Sequence, residues 1–289
     1  MFILLYHGVR PKSDTTSPDI RIKHIPEKIF KKQLDILGTF FKIISLQDAV
    51  TALTTHAPLP RNTCIITFDD GYENNANVAA PLLIQKGMPA TFFITTNFID
   101  QTMSLWVDRF ENAYSRLFPN NPKGDAQLRQ QFKKLTNEER ENQLHELEVK
   151  AKTLHTNTPL HRAMTWNQVR TLHKSGFEIG AHTKTHPILS RCSLQNASDE
   201  IIGSKNKIKT ELSSSCKHFA WPNGQRDDWN AELLYIVQQH FISCSTTLDT
   251  PITKKSNVFS LPRITIDMGE SIPKFLLTIS GLRTKLKQL

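Results

Sequence analysis

Residues 64–72 read Cys64-Ile65-Ile66-Thr67-Phe68-Asp69-Asp70-Gly71-Tyr72. An apolar, β-branched run closes on two adjacent carboxylates and a glycine. A run without polar alternation predicts a strand covered on both faces, as in parallel sheets. Gly71 then turns the chain at once. The pattern recurs outward along the sequence. Ile3 to Tyr6, Ala90 to Thr95, Phe177 to Ala181, Lys217 to Trp221 and Ile242 to Thr246 are further short apolar runs bounded by turn-forming or polar residues. Stretches of helical length lie between them. Ala76 to Gln85 ends at Lys86-Gly87, and Ser193 to Leu212 has Ser193 as a candidate N-cap with Ile201, Ile208 and Leu212 on one face. Strands alternating with helices predict βα units around a parallel sheet or barrel, an α/β fold.

Residues 101–162 break this rhythm, with no strand signal. Leu128, Phe132, Leu135, Leu144, Leu147, Ala151 and Leu154 recur there at mostly helical spacing among Glu, Lys and Gln. This predicts a helical insertion on a βα loop, serving either as a wall of the site or as a solvated helical hairpin. The chain is read as a single barrel domain over 1–289 with the insertion inside it.

Composition narrows the class. With 38% hydrophobic and 22% charged residues, the 289-residue chain matches an ordinary globular protein rather than a disordered or coiled-coil one. No run approaches the roughly 18 apolar residues of a membrane span. Met1-Phe2-Ile3-Leu4-Leu5-Tyr6 is followed directly by His7-Gly8, without the flanks of a signal peptide, so a cytoplasmic location is expected. The net charge of +9 permits an anionic membrane surface, acidic glycan or nucleic acid as partner. The Lys and Arg are scattered, which predicts a solvated basic surface and no nucleic-acid face. Cys64, Cys192, Cys216 and Cys244 form no CxxC pair, which excludes a zinc ribbon.

Two strand ends carry the chemistry. Crowded carboxylates such as Asp69 and Asp70 repel unless a cation sits beside them, although either would also serve as a helix N-cap. Phe177 to Ala181 ends at His182, and His186 follows four residues later before Pro187. Two imidazoles and one carboxylate suit zinc and neighbouring divalent metals and leave positions open. If Asp70, His182 and His186 are the ligands, Asp69 is left beside a coordinated water. A metal lowers the pKa of such a water from about 15.7 toward 7, and a nearby carboxylate takes its proton.

Thr67-Phe68-Asp69-Asp70-Gly71 and His182-Thr183-Lys184-Thr185-His186 resemble the first two motifs of the polysaccharide deacetylases with a NodB-homology domain, carbohydrate esterase family 4. Phe219-Ala220-Trp221-Pro222-Asn223-Gly224 is similar to their third. The resemblance implies a distorted (β/α) barrel and removal of an N-acetyl group from a hexosamine. It implies Asp69 as general base, Asp70, His182 and His186 as metal ligands, and Zn2+ as the expected ion, with Co2+, Ni2+ or Mn2+ as alternatives. The chain departs from the family at two places. The family's Arg two residues before the proline is Ala220 here, and the C-terminal Leu-x-His is replaced by Leu261-Pro262-Arg263-Ile264. Leu5-Tyr6-His7-Gly8-Val9, however, resembles the branch that deacetylates biofilm poly-N-acetylglucosamine, where an N-terminal Tyr-His supplies the acid. His7 is the expected acid on that basis. Arg263 is expected either to orient Asp69 in place of the missing Arg or to form an ordinary salt bridge. The Asn223 N–H is the expected oxyanion donor. Trp221, Pro222, Trp106 and Tyr72 are placed in the sugar site, with core packing as the alternative for the tryptophans.

The resemblance implies an N-acetylated polysaccharide, oligosaccharide or lipid-linked precursor as substrate. The same site would also serve a deformylase or a hydrolase of small cyclic amides. A two-His, one-carboxylate set also holds Fe(II) in oxygenases, but those sit on alternating β-sandwich strands rather than βα units. A non-catalytic glycan-binding barrel would be expected to lack Asp69 or a ligand, and all are present.

Overall fold

The computed structural model describes residues 1–13, 23–58, 60, 62–119, 121, 125–154, 158–250, 252–253, 255–266 and 271–280. Its strands are β1 (Phe2–Tyr6), β2 (Gly8–Arg10), β3 (His24–Pro26), β4 (Lys42–Ile43), β5 (Thr63–Phe68), β6 (Thr91–Ile94), β7 (Glu178–Ala181), β8 (His218–Ala220), β9 (Ser243–Ser245) and β10 (Ile264–Thr265). The α-helices are α1 (Glu27–Phe40), α2 (Leu46–Thr54), α3 (Ala80–Gln85), α4 (Thr96–Ile99), α5 (Trp106–Leu117), α6 (Asp125–Lys134), α7 (Asn137–Ala151), α8 (Trp166–Lys174), α9 (Leu194–Leu212), α10 (Ala231–His240) and α11 (Ile272–Ile279).

All pairings in the main sheet are parallel, in the order β10-β1-β5-β6-β7-β8-β9, with β4 also on β5. The two ends approach each other through the segment before β10. Leu261 N donates to Cys244 O at 2.9 Å and Leu261 O accepts from Thr246 N at 2.8 Å. Ile266 N, just past β10, donates to Leu5 O at 2.8 Å. The sheet therefore curls into a distorted (β/α) barrel.

Every residue of β5 is buried, which explains its unbroken apolar run. Tyr6, Phe68 and Phe92 stack across β1, β5 and β6 with centroids 5.4 and 4.9 Å apart. Gly180 on β7 is required by a close approach. A Cβ there would lie 2.4 Å from a ring carbon of Phe93 and 3.1 Å from the His218 carbonyl.

The six apolar runs all form strands at their expected places. The helix expected over Ala76 to Gln85 opens instead as a π turn, Asn75–Ala79, before α3. The wider turn keeps Asn75 buried, and the preceding Asn74 accepts from Val9 N at 3.1 Å. Ser193 does cap α9, its Oγ accepting from Asn196 N at 3.2 Å. Between β6 and β7, after the short α4, the helical insertion is α5, α6 and α7, followed by α8 as crossover. Trp106, Phe110, Tyr114, Phe132 and Leu144 form its own small core and pack on Ile188, from the loop after β7. Arg109 of α5 pairs with Glu141 and Glu148 of α7 at 2.6 and 2.8 Å. Residues 120, 122–124 and 155–157 of the insertion lie outside the described residues. The four cysteines are free thiols. Among the described residues, no helix is long and apolar enough to cross a membrane.

Candidate active site

The parallel sheet brings the C-terminal ends of β1, β5, β7, β8 and β10 to one rim, where ligands bind in such folds. Beyond β5 the backbone turns sharply. Asp70 has φ +74° and Gly71 φ +96°. That φ strains any side chain, and a Cβ on Gly71 would also lie 2.8 Å from Ile99 Cδ1, so glycine is strongly favoured there. This turn lets Asp69 and Asp70, neighbours in sequence, line the same cavity. Beyond β7 the loop is also held in left-handed conformations, at Thr183 (φ +67°) and His186 (φ +59°). Glu200 of α9 fastens it, accepting from Lys184 N and Thr185 N at 2.8 Å each and from Thr185 Oγ1 at 2.7 Å. Left-handed non-glycine residues persist only where their surroundings fix them, and they gather at functional sites.

Asp70 Oδ1 lies 3.5 Å from His182 Nε2 and 3.3 Å from His186 Nε2. All three residues are buried, and one ligand atom from each lies within 4.8 Å of the others. Asp70 Oδ1 has no hydrogen-bond partner. His182 Nδ1 is 2.8 Å from the Ala220 carbonyl. A carbonyl only accepts, so Nδ1 carries the proton and the Nε2 lone pair faces Asp70. Such donor spacings match metal–ligand bonds of about 2.0–2.2 Å, so the three residues fit a divalent cation. Burial pushes the Asp70 carboxyl up, but His186, His7, Lys23 and His182 outweigh it and hold it well below the usual carboxylate range. Burial holds the His186 imidazole down to about 3 against the pull of Asp70, which keeps it neutral and free to ligate.

Arg263 lies beneath Asp69. Its two terminal nitrogens donate to Asp69 Oδ1 and Oδ2 at 2.6 and 2.7 Å, while Nε donates to the Thr246 carbonyl at 3.1 Å. Both residues are almost wholly buried. This two-pronged clamp fixes the plane of the carboxylate. Ala220 thus lends His182 a carbonyl, and the guanidinium reaches Asp69 from the segment leading into β10 instead. His7 leaves β1 into the same cavity. Burial lowers its pKa from the ordinary value, while Asp70 and Asp69 pull it up. Asn223, also left-handed (φ +62°), lines the cavity, with its side chain donating to Asp228 at 2.5 Å.

The cavity measures about 260 Å³. Asp69, Asp70, His182, His186, His7, Asn223 and Trp106 line it together, with Arg263 behind Asp69. Three expected sugar contacts are corrected. Trp221 has no exposed surface and stacks on Trp229 at 5.5 Å, because the residue leaving β8 turns into the core under α10. Pro222 is buried beside it and does not line the cavity. Tyr72 is also fully buried, its hydroxyl accepting from Lys23 Nζ at 2.6 Å and donating to Asp108 at 2.9 Å.

Lys23, Glu111, Arg129 and Lys133 line the cavity although no motif marks them. Asp108, Glu111 and His161 form a second buried group of potential ligands. The Lys23 ammonium, 2.5 Å from Asp108 Oδ1, already supplies its cation.

Comparison with known proteins adds a family and a fold. The polysaccharide deacetylase profile matches residues 56–243, which include Asp69, Asp70, His182, His186 and Asn223 but neither His7 nor Arg263. No curated protein matches the chain in sequence. Among solved structures, the Streptococcus pyogenes deacetylase PplD, in complex with acetate, is similar with a TM-score of 0.68 at 18% identity, covering 96% of this chain and 97% of its own. IcaB from Ammonifex degensii gives 0.66 at 16% identity, covering 96% and 95%. The BpsB deacetylase domain from Bordetella bronchiseptica gives 0.61 at 16% identity, covering 92% and 95%. At these identities the likeness is one of fold.

Proposed function

This chain belongs to the polysaccharide deacetylase family, and on that premise we propose that it is a metal-dependent hydrolase removing the N-acetyl group of an N-acetylated sugar. The substrate is a glycan or a lipid-linked sugar. The observation that carries this reading is the Asp69–Arg263 clamp beside the Asp70, His182 and His186 triad, with His7 in the same cavity.

Asp70, His182 and His186 would hold the ion, Zn2+ being the first expectation from the donor set. When bound, such an ion supplies Lewis acidity, making water more acidic and polarising the amide carbonyl. The residues do the rest. Asp69 takes the proton of the attacking water. Both its oxygens also accept from Arg263, which fixes the direction of the remaining lone pairs. Asn223 N–H donates to the carbonyl oxygen as charge builds there. His7, whose protonated form Asp70 and Asp69 favour against its burial, gives its proton to the departing amine nitrogen. The carboxylic O–H proton left on the acyl product passes to the amine, so acetate and the ammonium form of the sugar leave, and the proton now on Asp69 balances the one lost by His7. Trp106 and Val107 close the cavity on the insertion's side.

The test is acetate release from N-acetylglucosamine oligomers by purified protein, before and after chelation and on reloading with zinc or cobalt. Metal-dependent acetate release is expected. Release of formate from formylated amines, or opening of cyclic amides, with no acetate from any sugar would replace this reading by that of a different amide hydrolase.

A further inference from the structure

The cavity floor comes from the sheet, and the opposite wall comes from the insertion. Trp106, Val107 and Glu111 of α5 and Arg129 and Lys133 of α6 form that wall. Arg129 and Lys133 stand four residues apart, so they share a face of α6. Charges around the cavity are matched in turn. Arg129 is 3.2 Å from Glu111 Oε1 and also pairs with Asp125. Lys23 is matched by Asp108, and Asp69 by Arg263. Lys133 has no hydrogen bond or ion pair among the described residues. Asp228 is the carboxylate whose field favours the Lys133 ammonium. It makes no ion pair with Lys133, and its Oδ2 accepts from Gln225 N at 2.6 Å and Asn223 Nδ2 at 2.5 Å. Lys133 is half-buried all the same. Burial lowers its pKa, Asp228 opposes that, and Arg129 adds to it. A cation kept partly out of water without a partner is unfavourable, and an anionic ligand would relieve it.

We propose that Lys133 is the counter-charge for an anionic oxygen group on the substrate, so that the site prefers N-acetylated sugars bearing a phosphate or carboxylate. This rests on the deacetylase reading and deepens it. Lys133 and the triad line the same cavity of about 260 Å³, at the small end of ligand pockets. The charged group therefore sits on the acetylated sugar itself or is bonded directly to it. The insertion, through α6, is then the specificity element of the fold.

The test uses metal-loaded, full-length protein at low salt, with N-acetylglucosamine 1-phosphate, N-acetylglucosamine 6-phosphate, N-acetylmuramic acid and neutral N-acetylglucosamine as probes. Affinity is read by calorimetry, and acetate release is followed separately. The charged sugars are expected to bind at least tenfold more tightly than the neutral one. That ratio should fall at least fivefold in Lys133→Met, with Lys133→Gln as a second variant, and survive in Lys133→Arg. Stronger binding of the phosphates than of the muramic acid assigns a phosphate, and the reverse a carboxylate. No preference in the wild type, or a preference untouched in both neutral variants, overturns the proposal. Lys133-dependent binding without acetate release would keep the anion subsite and sink the deacetylase reading. Acetate release without a charge preference would do the opposite.

Discussion

Replacing Arg263 by Met keeps the length of the side chain and removes its charge. Four things are lost together. Asp69 loses two charge-assisted hydrogen bonds of 2.6 and 2.7 Å, Thr246 O loses a donor at 3.1 Å, Thr67 Oγ1 loses one at 3.3 Å, and the cation over the Phe93 ring disappears. Removing one partner of a buried ion pair costs about 3–5 kcal/mol, because the remaining charge stays buried without compensation. Asp69 borders the cavity, where water can reach it, so the low end, about 3 kcal/mol, is expected. For a chain of this size that corresponds to a drop in Tm of about 5 °C. The carboxylate also becomes free to rotate. The rate at saturating substrate should fall about 100-fold, the low end of what a positioned base contributes. Arg263→Lys restores a charge but not the fork, so it should recover part of the stability and little of the rate. The assay is thermal melting of the metal-loaded protein beside single-turnover acetate release. An Arg263→Met variant melting within 1 °C of wild type, or turning over at the wild-type rate, would refute the clamp.

Three further outcomes follow from the same geometry. His7→Gln should keep its bound metal while acetate release falls about 100-fold, as measured by elemental analysis beside the acetate assay; loss of the metal instead would make His7 a ligand rather than an acid. Trp221→Phe should lower stability by about 2 kcal/mol in chemical denaturation and leave KM for the sugar unchanged, since Trp221 packs in the core. Burial lowers the His218 pKa from 6.5 to about 4, with Lys217 adding to it, so folded His218 stays neutral where the unfolded chain takes up a proton. Stability is therefore full above about pH 6.5 and declines as pH falls toward 4, by about 3 kcal/mol at about 1.4 kcal/mol per pH unit. His218→Asn should flatten that decline in denaturation curves between pH 7 and 4.

The convergence of Asp69, His7 and His182 on one rim was legible because each proposed catalytic or ligand group closes an apolar run. Asp69, His7 and His182 sit where strands of this class present side chains to the rim, and apolar runs mark strand ends well. Arg263 was legible only as a possibility, since its partner is set by which strands become neighbours. β10 lies beside β1 and β1 beside β5, and local sequence does not state that order. Trp221 and Tyr72 were misplaced for a related reason. One step along a strand end reverses the direction of a side chain, and nothing nearby in sequence says whether core or cavity waits on that side. Lys23, Glu200, Glu111 and Lys133 come from segments distant from every motif. Their roles depend on how the insertion and α9 pack against the rim, which periodicity predicts as helices but not as neighbours.

The most direct test of the account is Asp69→Asn, an almost isosteric change beside the three proposed ligands. Bound metal and acetate release from an N-acetylated glucosamine oligomer would be measured on the same preparation. The account predicts about one equivalent of metal, as in wild type, with acetate release reduced by 10²–10⁴-fold. Acetate release at the wild-type rate from Asp69→Asn would contradict it.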